Sequence, residues 1–138
     1  MKQLFACEAS QLAPAVALLQ RFWEDESLAV DAGFMFEVCL EELFFNVVRY
    51  NTKASQISVE LDVVGGLVTL IIEDDGFSFD PFSRDAVNID ASVEDREIGG
   101  LGIHLVTEMM DTCGHVYQEG KNISTVSLAL GSSIDVSL

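Results

Sequence analysis

The chain has 138 residues, of which 49% are hydrophobic and nine are Phe. This length suits one domain with a real core, predicted to span residues 1–138, and the composition excludes a disordered chain. The formal net charge is −16 with seven Lys and Arg, which disfavours nucleic acids and anionic lipid as partners because both are negatively charged. The charge suits a soluble domain and is also compatible with a basic protein partner.

The cysteines and the first residues indicate the compartment. Cys7, Cys39 and Cys113 have no metal-ligand spacing, which is typical of free thiols in a reducing cytosol. The segment MKQLFACEASQL lacks the long apolar stretch of a signal peptide. No run approaches the roughly eighteen apolar residues that a membrane span requires. We therefore expect a soluble, cytoplasmic protein with no membrane contact.

Hydrophobic periodicity and turn residues predict eight elements in chain order. These are a strand over 2–7, helices over 11–26 and 32–50, strands over 56–64 and 67–73, a helix over 102–111, and strands over 114–119 and 122–130. Ser10 and Asp31 are predicted to cap the first two helices, and Gly65–Gly66 predicts a hairpin turn. A long polar loop over 81–97 is typical of a lid. The order predicts an α+β fold with a mixed sheet and helices on one face.

The second helix carries two polar residues, Glu42 and Asn46, among apolar neighbours. A spacing of four places both side chains on one helix face, and burying them is costly unless a partner compensates. A Mg²⁺ ion and a water would satisfy both, because Mg²⁺ prefers oxygen ligands and a carboxylate can deprotonate an attacking hydroxyl. The spacing alone leaves open the alternative that both side chains face solvent.

An acidic strand end follows in the segment EDDGFSFD. Asp74 can accept a hydrogen bond from an exocyclic amine such as that of adenine, and Gly76 allows a flat ligand to approach closely. Phe77 and Phe79 are candidates to line a base pocket, with core packing as the alternative for each. An acidic turn without a ligand is the alternative for the whole segment, since Asp-Asp-Gly is common in turns.

A glycine-rich turn opens the third predicted helix in the segment IGGLGIHLV, with Gly99, Gly100 and Gly102. Free backbone N–H groups and the positive end of the helix dipole favour phosphate there, although a lone glycine turn is a weak signal. His104 and His115 have no neighbouring ligands, and we interpret both as structural or surface residues. The acid and amide, the strand end and the glycine turn together indicate a site for Mg-ATP.

In order and spacing these motifs resemble the N box and two glycine boxes of the histidine-kinase-like ATPases, the GHKL or Bergerat-fold superfamily. The matching residues are Glu42-x-x-x-Asn46, Asp74-x-Gly76-x-x-Phe79 and Gly100-Leu101-Gly102. The wording EELFFNVVRY, DDGFSFDPF and IGGLGIHLV is similar to bacterial anti-sigma regulatory factors of the serine-protein-kinase type. The resemblance spans about residues 34–130. It departs from the family pattern at Ile98, where a glycine is usual, and at Tyr50, where close relatives often have His.

The resemblance implies a two-layer α/β sandwich, with a mostly antiparallel sheet, that binds ATP and Mg²⁺ beneath a mobile lid over residues 80–97. It implies Asn46 as the Mg²⁺ ligand, Glu42 as the general base and Asp74 as the partner of the adenine amine. Gly76 and Phe79 would lie beside the base. The residues implied to lie at the phosphates are Gly99, Gly100, Leu101, Gly102 and Ile103, with Arg49 and Arg96 as nearby cations.

The resemblance also implies a protein substrate. Such factors transfer the γ-phosphate of ATP to a Ser or Thr of a STAS-domain antagonist, and many sequester a sigma factor, so that partner switching regulates transcription. A homodimer is a reasonable expectation. Two alternatives stay open. One is a non-catalytic nucleotide-binding module that holds a sigma factor or another regulator, which the acidic charge favours. The other is a detached catalytic domain that phosphorylates a His on another protein.

Overall fold

The computed structural model describes residues 1–83 and 102–130. A 3-10 turn over Ala9–Gln11 precedes the first α-helix. The other elements, in chain order, are β1 (Lys2–Ala6), α1 (Leu12–Asp25), α2 (Val30–Tyr50), β2 (Gln56–Val64), β3 (Leu67–Asp74), α3 (102–109), β4 (Thr112–Gln118) and β5 (Lys121–Ala129). All eight predicted elements are present, with ends that differ by a few residues. Within the two described ranges, no helix is long and apolar enough to cross a membrane.

The five strands form one sheet in the order β1-β2-β3-β5-β4. The predicted α+β class is confirmed, and one detail differs, because every strand pairing is antiparallel where a mixed sheet was expected. Tight hairpins explain part of this result, since only antiparallel neighbours can be joined by two-residue turns. Both turns, Gly65–Gly66 and Glu119–Gly120, have positive φ at both central residues, which matches the right-handed twist of the strands.

The core lies between the sheet and the helices. Alternate residues of β3 are buried, among them Val68 and Leu70, as expected for a strand with one covered face. On α2, Phe36, Leu40 and Phe44 are fully buried, because this helix packs against both α1 and β3. The apolar second helix therefore contributes to the core through contacts with both the sheet and the first helix.

The two predicted helix caps are wrong. Ser10 lies inside the 3-10 turn, and α1 begins at Leu12 without a side-chain cap. Helix α2 begins at Val30, so that Asp31 lies in its first turn, and its N-cap residue also makes no side-chain hydrogen bond. A carboxylate in the first turn still interacts favourably with the helix dipole, so Asp31 stabilises the start of α2 without capping it.

Candidate functional site

Helix α2 brings Glu42 and Asn46 to one cavity, as their spacing predicts. The cavity has a volume of about 130 Å³ and is lined, among the described residues, by Glu42, Phe45, Asn46 and Arg49. Asn46 is buried at 8% exposure, and its side chain makes no hydrogen bond to any residue within 1–83 or 102–130. Asn46 is therefore largely buried, and its side chain lines the cavity.

The carboxylate of Glu42 lies against the start of α3. A Cβ on residue 102 would overlap with this carboxylate, so the space that Gly102 leaves open is occupied by Glu42. Burial raises the pKa of Glu42, while Arg49 lowers it and Glu41 raises it further. A half-buried carboxylate with a raised pKa suits a general base near neutral pH. The contact also joins the N box to the last residue of the predicted glycine turn.

Asp74 ends β3 and is buried at 5% exposure. Its Oδ1 accepts hydrogen bonds from the backbone N–H of Gly76 at 2.9 Å and from Nδ2 of Asn122 at 3.0 Å. Nδ2 of Asn51 is 3.4 Å away, which makes a weaker bond. Burial raises the pKa of Asp74, and the hydrogen bonds from Asn122 and Gly76 oppose this shift.

Two asparagines hold the loop that follows Asp74, and we call Asn51 and Asn122 the asparagine clamp. Asn51 accepts the N–H of Phe77 at 3.1 Å and donates to the Phe77 carbonyl at 2.9 Å. Asn122 donates to the same carbonyl at 2.7 Å and accepts the N–H of Phe79 at 2.9 Å. A Cβ on Gly76 would overlap with the Asn51 amide, so the clamp requires glycine at this position.

Asp75, by contrast, has a structural role. Burial by itself raises its pKa, but hydrogen bonds from the Ser55 hydroxyl and from the backbone N–H groups of Ser55 and Gln56 lower the pKa of Asp75 to about 2. The backbone bonds are 2.7 Å and 3.0 Å long. Adjacent carboxylates therefore differ in function, since Asp75 ties the start of β2 to the end of β3 while Asp74 faces the clamp.

A small cavity lies beside Asp74 and shares Asn46 with the larger one. Its lining residues are Leu43, Asn46, Val47, Asn51, Ile72, Asp74, Phe79, Pro81 and Ser124. The volume is about 10 Å³, roughly the space of one water. Phe79 stacks on Tyr50, with ring centroids 6.1 Å apart. This volume is too small for a nucleotide base, and two of the lining residues, Phe79 and Pro81, belong to the loop after β3.

The other predicted site residues divide into three groups. Arg49 lines the larger cavity, and its guanidinium lies 5.9 Å from the Tyr50 ring. The side chain of Ile103 belongs to the hydrophobic core, so only its backbone could face a ligand. Phe77 is 40% exposed and lines neither cavity. The residues outside the described ranges are Gly99, Gly100 and Leu101, with Arg96, Ile98 and residues 84–97 of the predicted lid.

Sequence reasoning missed the clamp and the residue behind it. Nε2 of His115 lies 2.8 Å from Oδ1 of Asn122, so this histidine contacts the site rather than only the surface. In the sheet, Asp74 of β3 pairs directly with Asn122 of β5. This pairing could be inferred from the sequence only if β5 were already known to lie beside β3.

The donors present fit a magnesium ion better than a transition metal. Within the described residues no three His, Cys, Asp or Glu side chains are grouped as a metal site. Asn46 instead offers one neutral oxygen in a buried position. Mg²⁺ typically takes one or two protein ligands and completes its shell with waters and substrate phosphates.

Comparison with known proteins identifies the class. A family model described as "Histidine kinase-like ATPase domain" matches residues 5–130, so the chain belongs to this family. Domains of this kind bind ATP, generally with Mg²⁺, and the predicted superfamily is confirmed.

A solved structure agrees at the level of the fold. The histidine kinase AdeS of Acinetobacter baumannii is 19% identical, with a TM-score of 0.51 over 94% of this chain and 68% of that chain. At this identity the likeness shows the fold alone. Among curated proteins, none matches the chain.

Proposed function

We propose that this domain binds Mg-ATP and acts as a protein-serine/threonine kinase of the anti-sigma type, phosphorylating a STAS-domain antagonist in a partner-switching system. The observation that carries the proposal is the shared cavity of Glu42 and Asn46, with the Glu42 carboxylate against Gly102. This arrangement supplies a base and a metal ligand beside the start of a helix, where phosphate is favoured. The serine-kinase assignment rests on the resemblance of the three motifs to anti-sigma factors.

In the proposed reaction the hydroxyl of a Ser or Thr attacks the γ-phosphorus of ATP. A new P–O bond forms to that oxygen, the bond between the γ-phosphorus and the bridging oxygen breaks, and ADP leaves. Glu42 accepts the hydroxyl proton, and its raised pKa makes it a competent base. A Mg²⁺ ion held by Asn46 would neutralise phosphate charge, and Arg49 at the same cavity adds a cation.

The test is transfer of label from [γ-³²P]ATP to the cognate STAS protein, with the product treated in acid. We expect acid-stable phosphate from the wild type, no transfer from Glu42→Gln with ATP affinity retained, and near-normal transfer from Glu41→Gln. Glu41 is the matched control because it is the neighbouring acid and does not line the cavity. Acid-labile phosphate would instead support phosphorylation of a His.

Nucleotide binding is measured separately by calorimetry with ATP and ADP, with and without Mg²⁺. We expect wild-type binding to strengthen with Mg²⁺ and Asn46→Ala to lose this dependence, because the amide is the proposed metal ligand. A wild type that binds neither nucleotide would refute the proposal at its first step.

A second candidate function is a non-catalytic module that holds a regulator, and one surface favours it. A groove of about 260 Å³ between α1 and α2 is lined by Trp23, Val30 and Phe34, with Glu24 and Glu37 among its polar residues. Val30 is 83% exposed and Phe34 is 69% exposed, and exposed apolar side chains that share one groove are typical of a surface that binds another protein.

This candidate predicts a stoichiometric partner that is bound but never phosphorylated. Phe34→Ser should weaken that complex, whereas Val64→Ser, at an exposed apolar residue at the end of β2, should not. Sedimentation of the domain alone tests the proposed homodimer in the same preparation.

A further inference from the structure

The orientation of the Asn122 amide is determined by its partners. Its Oδ1 receives the backbone N–H of Phe79, which can only donate, and its Nδ2 faces the carbonyl of Phe77 and the carboxylate of Asp74, which can only accept. Exchanging the oxygen and nitrogen would break all three bonds. The amide is therefore held in one orientation across the loop.

This orientation defines the role of His115. Its Nε2 lies 2.8 Å from Oδ1 of Asn122, and because that oxygen only accepts, Nε2 must carry a hydrogen and donate it. His115 is partly buried on β4, the edge strand next to β5. A side chain that donates from the same place, such as Gln, would maintain the contact, whereas an apolar side chain of similar size would remove it.

The clamp also determines how Asp74 is presented. Within the described residues, all hydrogen bonds to this carboxylate go to Oδ1, from Gly76, Asn122 and Asn51. Asp74 lines the small cavity, so its Oδ2 is the oxygen left to accept a bond from a ligand. These donors are neutral, so they hold the carboxylate without neutralising its charge.

We propose that Asn122, supported by His115, and Asn51 are positioning residues that aim Asp74 at the base, so that selection of a purine with an amino group at C6 depends on the clamp. The proposal rests on the proposed nucleotide binding. Adenine offers an amine donor at the edge where guanine offers a carbonyl acceptor. A correctly aimed carboxylate accepts from the first and repels the second, and sites built around such bonds discriminate strongly.

The experiment is calorimetric measurement of ATP and GTP affinity for the whole chain and four variants. They are Asn122→Ala, His115→Leu, His115→Gln and the control Gln118→Leu, an exposed position on the same strand. We expect Asn122→Ala to reduce the ratio of ATP to GTP affinity about tenfold, the effect of one lost hydrogen bond. His115→Leu should reduce the ratio in the same direction, while His115→Gln and Gln118→Leu stay close to wild type.

The outcomes separate this inference from the proposed function. A purely structural role would lower the melting temperature and weaken both nucleotides equally, leaving the ratio unchanged, and that result overturns the inference alone. The same holds if His115→Gln behaves like His115→Leu. A wild type that binds neither nucleotide overturns both proposals. If Asn122→Ala does not fold, the two His115 variants decide the question.

Discussion

Replacing Gly76 by Ala tests whether the asparagine clamp is rigid. The backbone at this position does not have positive φ, so alanine itself is conformationally acceptable. The new Cβ would overlap with the side-chain amide of Asn51, which is buried at 2% exposure. Because this amide is enclosed and bonded, it cannot move aside without losing its partners.

The expected cost follows from those bonds. Displacing Asn51 removes its two partly buried hydrogen bonds to Phe77, at 2.9 Å and 3.1 Å. Each such bond contributes about 1 kcal/mol, with more lost when a partner is left unsatisfied. The total is roughly 2–3 kcal/mol. Replacing glycine by alanine regains about 0.4–1 kcal/mol from the unfolded chain. We therefore expect Gly76→Ala to lower the free energy of unfolding by roughly 2 kcal/mol.

The assay is urea unfolding of a double-mutant cycle with Asn51→Ala. When the Asn51 amide is already absent, adding Gly76→Ala should cost nothing or stabilise slightly, which gives a coupling energy of about 2 kcal/mol, within the range seen for contacting residues. Gly114→Ala is the matched control, because a Cβ there meets no atom within 4 Å. Additive effects of the two substitutions, or a Gly76→Ala variant as stable as wild type, would show that the Asn51 side chain moves aside without loss of stability, and would refute the rigidity of the clamp.

Three further predictions use other close approaches and charges. Gly33→Ala places a Cβ 2.8 Å from Nε1 of Trp23 and should lower the free energy of unfolding by about 1–2 kcal/mol. It should also shift the fluorescence of Trp23, the only Trp in the sequence, and an unshifted spectrum would contradict the contact. Gly102→Ala should change the free energy of unfolding by less than about 1 kcal/mol, because only the flexible end of Glu42 must move. It should nevertheless lower the rate of phosphate transfer at least tenfold, and full activity would refute the role of the contact. The stabilisation from Asp75, whose pKa is lowered to about 2, is present above its ordinary pKa and lost as pH falls through about 2. Asp75→Asn should therefore flatten the dependence of the urea midpoint on pH in that window, and a midpoint that depends on pH as in wild type would contradict it.

The parts of the site that depend on local geometry could be predicted from the sequence. Glu42 and Asn46 share a cavity because four residues make about one helical turn, whatever surrounds the helix. The β2–β3 hairpin follows in the same way from the alternation of β2, the apolar run that follows it and the turn residues Gly65–Gly66. The helix starts were less predictable, because Ser10 and Asp31 have the residue type of a cap, yet the helices begin at Leu12 and Val30 without a side-chain cap.

The clamp could not be predicted, because it depends on contacts between distant segments. Asp74 and Asn122 are 48 residues apart in the sequence. They meet because β5 pairs with β3 as well as with its hairpin partner β4. Asn51 reaches the same loop from the end of α2. An asparagine after a helix or a turn is common for local reasons, so neither residue carries a signal of its own.

The way in which Asp74 is compensated bears on the alternative that sequence alone left open, an acidic turn without a ligand. A structural carboxylate is typically satisfied on the surface, as Asp75 is by Ser55 and Gln56. Asp74 is instead buried, and the donors that contact it are two amides and a backbone N–H. Neutral donors offset only part of the cost of burying a charge, which agrees with its raised pKa. In the proposed function, a base amine that donates to the other oxygen would offset part of the remaining cost.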